Sequence, residues 1–285
     1  MSASAHIHPT ALVSPGAQVP ASCRIGPFCT IGPNVVLGEQ CELVSHVVLD
    51  GHTTLGKGNR IFPFACLGVA PQDLKYAGEP TRCEIGDRNT IRESVTLSRG
   101  TAGGGGVTRI GNGCLIMAYV HIGHDSEVGD GCILANAATL AGHVIVEDYA
   151  VVGALCPVHQ FCRIGRYSYI GGGTTITQDV LPYSLTSIER NNHAYGLNKV
   201  GLERRGFSPA QIEALRQAYR LLQVSKLNTS DALAAIRATL LRAAPDGGPG
   251  PTSAAEAAAA PDPTAAEHVR YLAEFIAASP RGVIK

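Results

Sequence analysis

IGPFCTIGPNVVLGEQCELVSHVVLDGHTTLGKGNRIFPFACL, residues 25 to 67, carries an aliphatic side chain at every sixth position: Ile25, Ile31, Leu37, Leu43, Leu49, Leu55, Ile61 and Leu67. Toward the N-terminus the same phase holds at Val19, Val13 and Ile7. Toward the C-terminus it returns at Ile85, Ile91 and Leu97. After a glycine-rich interruption and a shift of one residue, it runs through Ile110, Ile116, Ile122, Val128, Leu134, Leu140, Val146, Val152, Val158, Ile164, Ile170 and Ile176. A period of six is a multiple of the two-residue alternation of a strand and not of the 3.6 of a helix, so each repeat reads as a short strand pointing one aliphatic inward. Glycine often follows the aliphatic, as at Gly26, Gly38, Gly56, Gly111 and Gly153, where the missing Cβ permits a turn conformation or tight stacking. Hexapeptide periodicity of this length marks a parallel β-helix. Strands of an ordinary sandwich do not keep one phase for so long.

Two segments break the period. Residues 68–84, GVAPQDLKYAGEPTRCE, place Asp73 and Glu79 where aliphatics should stand, and 98–109, SRGTAGGGGVTR, lack an inward aliphatic and hold four consecutive glycines. Both read as loops projecting from the scaffold, where binding groups tend to sit. The period ends near Asp179. After Pro182 the chain reads as irregular until Ser208 and Pro209, an N-cap and first-turn proline, open a helix to about Leu222. Thr229 or Ser230 is the expected cap of a second helix, and a third is expected over 264–278. The expected organisation is thus a β-helix over 1–190, with its two loops, and a helical domain over 191–285 containing an Ala/Pro/Gly linker at 244–263.

Composition narrows the function. Lysines and arginines balance aspartates and glutamates at 23 each, so there is no general pull toward nucleic acid or anionic membrane, and an anionic ligand would need a local basic cluster. No apolar run is long enough for a stable membrane insertion, and the start, MSASAHIHPT, lacks a secretory pattern; the expected compartment is cytoplasmic. Nine cysteines without CxxC pairs read as reduced, buried small hydrophobes.

The repeat resembles that of hexapeptide-repeat proteins in which three repeats make one coil; on that count Ile122, Leu140 and Val158, eighteen residues apart, lie on successive turns of the β-helix, and His124, His143 and His159 fall just after them, with His121 immediately before. Leu67, Ile85 and a rung missing from 98–109 are expected in the same column, which would bring both loops to the histidine edge. Imidazole titrates near neutrality and can take a proton from a hydroxyl and return it to a leaving group. The adjacent His124 and Asp125 are the best pair for that work, since a carboxylate can fix the tautomer. Three imidazoles can also hold Zn²⁺ with an open position, so a metal-dependent hydratase of the γ-carbonic-anhydrase kind and a non-catalytic scaffold remain open at this level.

The repeat resembles that of the hexapeptide acyltransferases, whose fold is a left-handed β-helix of triangular section. Longer motifs, QDLKYAGEPTRCEIGDRNTIRESVTLSRGT (72–101), HIGHDSEVGDGCILANAATLAGHV (121–144), VHQFCRIG (158–165) and GLNKVGLERRGFS (196–208), resemble the UDP-N-acetylglucosamine O-acyltransferase family of lipid A biosynthesis over nearly the whole chain. The resemblance implies transfer of a 3-hydroxyacyl group from acyl carrier protein to the sugar 3-hydroxyl, with no cofactor beyond the donor's 4′-phosphopantetheine thioester and no metal. His124 would be the general base, Asp125 its orienting partner and the Gly142 N–H the oxyanion donor. Gln72, Asp73, Lys75, His121, His143 and Gln160 would contact glucosamine or acyl group, with His159 beside them; Asn198, Arg204 and Arg205 would hold the nucleotide. Gly172 falls where the family sets acyl length, and a glycine there implies a long chain, near C14. The family also implies a homotrimer with sites between subunits. Gly123, Ser98 and Val200 depart from the family pattern, where an alanine, a histidine and an acid are usual. Other acceptors or donors on the same fold, a 3-amino sugar, an N-acyl product or acetyl-CoA, remain as alternatives.

Overall fold

The computed structural model describes residues 6–187, 193–225, 227–241 and 263–284. It is a left-handed parallel β-helix built of three sheets. Most strands are only two residues long, and each sheet collects every third strand in parallel register. The first sheet stacks Ile25, Leu43, Ile61, Ile91, Ile116, Leu134, Val152 and Ile170 inward. The second stacks Leu49, Leu67, Leu97, Ile122, Leu140 and Val158, and the third Leu55, Ile85, Ile110, Val128, Val146, Ile164 and Val180. These aliphatics form one continuous buried core. At about 1.5–3 kcal/mol for each fully buried side chain, this column of contacts is the main favourable term in folding. Eight of the nine cysteines are buried and all are free, and desolvation pushes the Cys83 thiol up to about 12, so they serve as small apolar fillers.

The glycines after the inward aliphatics serve stacking and not the turn. A Cβ on Gly26 would lie 1.8 Å from the Val44 carbonyl oxygen, and one on Gly153 2.5 Å from that of Ile170. The turn itself falls three residues after the aliphatic, where Phe28, Gln40, His46, Tyr119, Asp125, Ala137, His143, Tyr149, Phe161 and Tyr167 all take positive φ, between 52° and 65°. Packing along the stack imposes this left-handed conformation on residues that would rarely adopt it alone.

The two loops are corners and not missing coils. Strand Cys66–Val69 belongs to the second sheet and Arg82–Ile85 to the third, so Leu67 and Ile85 lie in different columns. Likewise Thr96–Ser98 is followed directly in the third sheet by Val107–Ile110. Both excursions, 70–81 and 99–106, are therefore shorter than the expected 68–84 and 98–109, and both leave the corner between the second and third sheets. No rung is missing.

Past Val180 the chain is more ordered than its sequence suggests. Strand Ser184–Ser187 extends the first sheet and pairs antiparallel with His193–Leu197, and helix α1 (Lys199–Arg204) follows. Helix α2 (Pro209–Tyr219) starts in a capping box between Ser208 and Gln211 and runs on through a π turn to Val224. Helix α3 (Thr229–Leu240) is capped one residue earlier than expected, by Asn228, whose side chain accepts from the Asp231 N–H. Helix α4 (Pro263–Ala277) matches the third expectation within a residue; the expected linker 244–263 lies, but for Pro263, outside the described residues. Leu202, Ile212, Leu215, Ile236 and Leu272 pack with Leu181 and Tyr183 into a second core that seats the helices on the end of the β-helix. The C-terminal strand Val283–Ile284 adds the last rung of the third sheet. No described helix is long and apolar enough to cross a membrane.

Candidate active site

Three consecutive coils meet at the corner between the second and third sheets: loop 99–106, then His124 and Asp125 after strand His121–Ile122, then Gly142 and His143 after Thr139–Leu140. The eighteen-residue coil makes Asp125 and His143 equivalent in the stack and places Gly142 opposite His124. That vacancy is what seats the imidazole: a Cβ on Gly142 would meet His124 Cε1 at 2.7 Å and Nε2 at 2.8 Å. The His124 and His143 rings lie edge to face with centroids 5.1 Å apart, and His143 stacks on Phe161 at 4.6 Å.

His124 Nδ1 is 2.8 Å from Asp125 Oδ2. The Asp125 side chain is 1% exposed and that of His124 19%. Burial works against the Asp125 charge, yet hydrogen bonds from the Thr101 hydroxyl, from His124 and from the Thr101 N–H together hold its carboxyl below the usual range. An ionised carboxylate only accepts, so Nδ1 carries the proton and donates it to Oδ2, leaving the Nε2 lone pair free. His121 turns its Nδ1 to the Thr96 hydroxyl at 2.8 Å, and burial, with His124 nearby, holds its imidazole below the usual histidine range. It is therefore neutral at pH 7.

Ligand atoms of His124, Asp125 and His143 lie within 4.8 Å of one another, the one such group among the described residues. It contains two imidazoles, not three. Asp125 Oδ2 already accepts from both His124 and the Thr101 hydroxyl, so the arrangement reads as a hydrogen-bonded acid–base dyad.

The other expected site residues are placed as follows. Gln72, Asp73 and Lys75 lie on loop 70–81, where Asp73 Oδ1 accepts the Lys75 N–H at 3.0 Å and Lys75 is exposed. Arg99 anchors that loop by donating to the Tyr76 hydroxyl and the Gly68 carbonyl, both at 2.9 Å. Within one chain none of the three hydrogen-bonds to the histidines among the described residues. His159 and Gln160 are exposed at the next coil of the same corner, with His159 Nδ1 donating to the Gln160 carbonyl at 3.0 Å. Gly172 sits at a different corner, after Ile170 of the first sheet, its absent Cβ facing the Ala154 oxygen at 3.1 Å.

Asn198, Arg204 and Arg205 line a separate groove of about 670 Å³ with Tyr149, Val151 and Tyr169. Asn198 is committed inside it: its Oδ1 caps α1 through Gly201 N and its Nδ2 donates to the Tyr167 carbonyl. Arg205 lies over the Tyr149 ring at 4.6 Å. Val200 is 57% exposed on the groove wall, while Ser98 is buried at the end of its strand.

Sequence reasoning passed over Thr101, Thr108 and Gly104. Thr101 donates to Asp125, Thr108 Oγ1 accepts the Asp125 N–H at 2.8 Å, and Gly104 comes so close that a Cβ would lie 2.1 Å from Asp125 Oδ2. Only the glycine run and the RGT triplet hinted at them, and no period links a loop to a carboxylate 24 residues away.

The corner also explains why Gly142 has a donor to spare. The second residue after the inward aliphatic has its N–H pointing away from the coil, which is why prolines sit there at Pro9, Pro15, Pro27, Pro33 and Pro63. At the corner between the third and first sheets, side-chain oxygens take that N–H: Asp87 from Lys57 at 2.9 Å, Asp130 from Asn112 at 2.7 Å and Asp148 from Asp130 at 2.8 Å. At Gly142 no acceptor is found among the described residues. Gly142→Ala is expected to push the His124 ring off its seat and lower kcat by about 10–100-fold with little change in thermal midpoint, measured by steady-state kinetics and melting.

The family model for bacterial transferase hexapeptides (six repeats) matches residues 108–142, and that for domain 2 of UDP-N-acetylglucosamine O-acyltransferase matches 179–284. The chain is 52% identical over 192 residues to an acyl-[acyl-carrier-protein]–UDP-N-acetylglucosamine O-acyltransferase of Anaeromyxobacter sp. (strain Fw109-5), a match spanning 67% of this chain and 74% of that one. A crystal structure of a UDP-N-acetylglucosamine acyltransferase from Bacteroides fragilis superimposes with a TM-score of 0.86 at 40% identity, covering 98% of this chain and all of the other. An Arabidopsis UDP-N-acetylglucosamine acyltransferase does so with a TM-score of 0.77 at 33% identity, covering 98% and 100%. Fold and repeat define a hexapeptide acyltransferase. Within that class, the chain belongs to the UDP-N-acetylglucosamine O-acyltransferase family.

Proposed function

We propose that the protein transfers a 3-hydroxyacyl group from acyl carrier protein to the 3-hydroxyl of UDP-N-acetylglucosamine, the first step of lipid A biosynthesis. The observation that carries the mechanism is the His124–Asp125 dyad, with Nε2 beside a Gly142 N–H that has no acceptor among the described residues. His124 Nε2 takes the proton of the sugar hydroxyl as its oxygen attacks the thioester carbonyl. The Gly142 N–H donates to the carbonyl oxygen as it gains charge, the carbon–sulfur bond breaks, and the proton passes from His124 to the departing thiolate. The ester is formed directly, with no covalent enzyme intermediate and no cofactor besides the donor's phosphopantetheine arm. His121, neutral and hydrogen-bonded to Thr96, and His143 line the acceptor side, with Gln160 and His159 on the coil beyond.

The groove bearing Arg204 and Arg205 would take the nucleotide, its basic rim supplying the local positive charge that the neutral chain as a whole lacks. Lys75, Gln72 and Asp73 would complete the pocket in a homotrimer, acting in the cytoplasm, where loops and groove of neighbouring subunits close on one histidine corner. The test is incubation with UDP-N-acetylglucosamine and a panel of 3-hydroxyacyl carrier proteins, with the product identified by mass and trapped by a coupled deacetylase. An acyl ester on the 3-hydroxyl is the expected product; acylation of an amino group or use of acetyl-CoA alone would sink the assignment. With Gly172 as the residue that sets acyl length, as the family resemblance implies, C14 donors should outpace C10, and Gly172→Met should reverse that order in the same panel.

A further inference from the structure

We propose that Thr101, from the loop that rises one coil below the dyad, is a positioning residue of the acyl-transfer site. Its hydroxyl and its N–H hold the Asp125 carboxylate in the one rotation that turns Oδ2 to His124. The Thr101 hydroxyl donates to Asp125 Oδ2 at 2.6 Å, the oxygen that also accepts from His124 Nδ1 at 2.8 Å, while the Thr101 N–H reaches Oδ1 at 3.0 Å and Oδ2 at 3.1 Å. The Asp125 backbone is pinned separately, through its N–H to the Thr108 hydroxyl. Asp125 needs such support because its side chain is shut away from water, where a carboxylate is held only by fixed donors; its φ of 57° is the turn conformation that the stack imposes at each equivalent position. Gly104, in the same loop, closes over Oδ2 and over His143 Cε1 without room for a Cβ. The loop therefore supplies hydrogen bonds and excludes water from the carboxylate, replacing solvent by fixed donors.

Charged and titratable groups facing Asp125 are few. His124 lies beside it, His143 on the next coil and His121 behind His124; the loop itself contributes hydroxyl and amide donors only. Loss of the Thr101 hydroxyl makes the carboxyl more basic, so it takes up a proton at a higher pH and ceases to support His124 sooner on acidification. Since acceptor-only Asp125 also sets the tautomer, the rate at neutral pH falls too.

The inference rests on His124 being the base, and the variants separate the two claims. Thr101→Ser and Thr101→Ala both lack the methyl group and differ only in the hydroxyl; each is assayed as full-length protein beside His124→Ala, with UDP-N-acetylglucosamine and a 3-hydroxyacyl carrier protein. Thr101→Ser is expected within about threefold of the wild-type kcat, and Thr101→Ala about tenfold or more below Thr101→Ser. KM for the sugar nucleotide should stay within about twofold, and the ratio of activity at acid to alkaline pH should fall in Thr101→Ala alone. Equal kcat and equal pH profiles for the Ser and Ala variants, with His124→Ala inactive, would overturn the role of Thr101 and leave the base in place. An active His124→Ala would remove the reading on which both depend. Should Thr101→Ala melt early, the comparison is made below its transition, where any hydroxyl effect still appears in the pH profile.

Discussion

His124→Ala is expected to lower kcat/KM for acyl transfer by about 10³-fold, roughly 4 kcal/mol of transition-state stabilisation, and to leave the fold standing. The expected size follows from what is lost: an imidazole whose Nε2 lies beside Gly142, whose N–H has no acceptor among the described residues. A sugar hydroxyl is a poor nucleophile until its proton is taken up as the new bond forms, and water in a half-closed corner is a weak and misplaced substitute. The fold survives because Asp125 keeps its bonds to Thr101 when His124 is gone, so no buried carboxylate is stranded. A residual rate is expected, since the oxyanion donor and the bound substrates remain. Single-turnover kinetics with purified donor, and a melt of the same sample, check both halves. A kcat/KM within about tenfold of wild type would place the base elsewhere in the cluster, His121 and His143 being next in line.

The second large effect concerns stability and lies at the opposite corner. Asn59 and Asn89 are fully buried between the third and first sheets. Asn59 Nδ2 donates to the Gly56 and Gly86 carbonyls, both at 2.8 Å, and its Oδ1 accepts the Asn89 N–H at 2.9 Å. Asn89 repeats the pattern one coil on, reaching the Gly111 carbonyl and the Cys114 N–H. Asn59→Leu, which has the same branching but a larger, apolar side chain, removes three bonds and leaves the Gly86 carbonyl and the Asn89 N–H dry, the Gly56 carbonyl keeping the Cys41 thiol, at a cost of about 2–6 kcal/mol. A fall in thermal midpoint of about 10 °C is expected, with kcat of the folded fraction unchanged because the histidine corner is on another edge. Asn59→Cys should fall between, since Cys23, Cys41, Cys114 and Cys132 occupy the same corner position on other coils and each thiol donates to one carbonyl. Calorimetry of the two variants checks the order, and a Leu variant as stable as wild type would mean that the ladder contributes little.

Much of this molecule was legible in the chain because a solenoid makes sequence distance equivalent to spatial distance. With eighteen residues to a coil, the neighbours of Ile122 are Leu140 and Val158, and the proximity of His124 to His143 could be counted out in advance. The same arithmetic failed at the two loops. An insertion at a corner and a missing rung shift the downstream phase in similar ways, and only the pairing of Arg82–Ile85 with His52–Leu55 shows that the columns of Leu67 and Ile85 are distinct. The glycines were half understood for a related reason. Their period is visible, but whether a missing Cβ serves a turn or a close approach depends on the backbone of the coil above.

By itself, then, the sequence determined the repeat and its inward aliphatics, because these follow from a period that neighbouring residues impose on one another; three faces to a coil, and with them the histidine corner, came with the family resemblance. Family motifs added the chemistry. Tertiary structure alone decided which His124 nitrogen is free, that Thr101 and Gly104 enclose Asp125, and that Asn198 is a helix cap inside the groove it was expected to serve. Each of these depends on a hydrogen bond or a contact between segments with no common period. A loop obeys no repeat, so where its side chains arrive is set by the packing of the corner and not by counting along the chain.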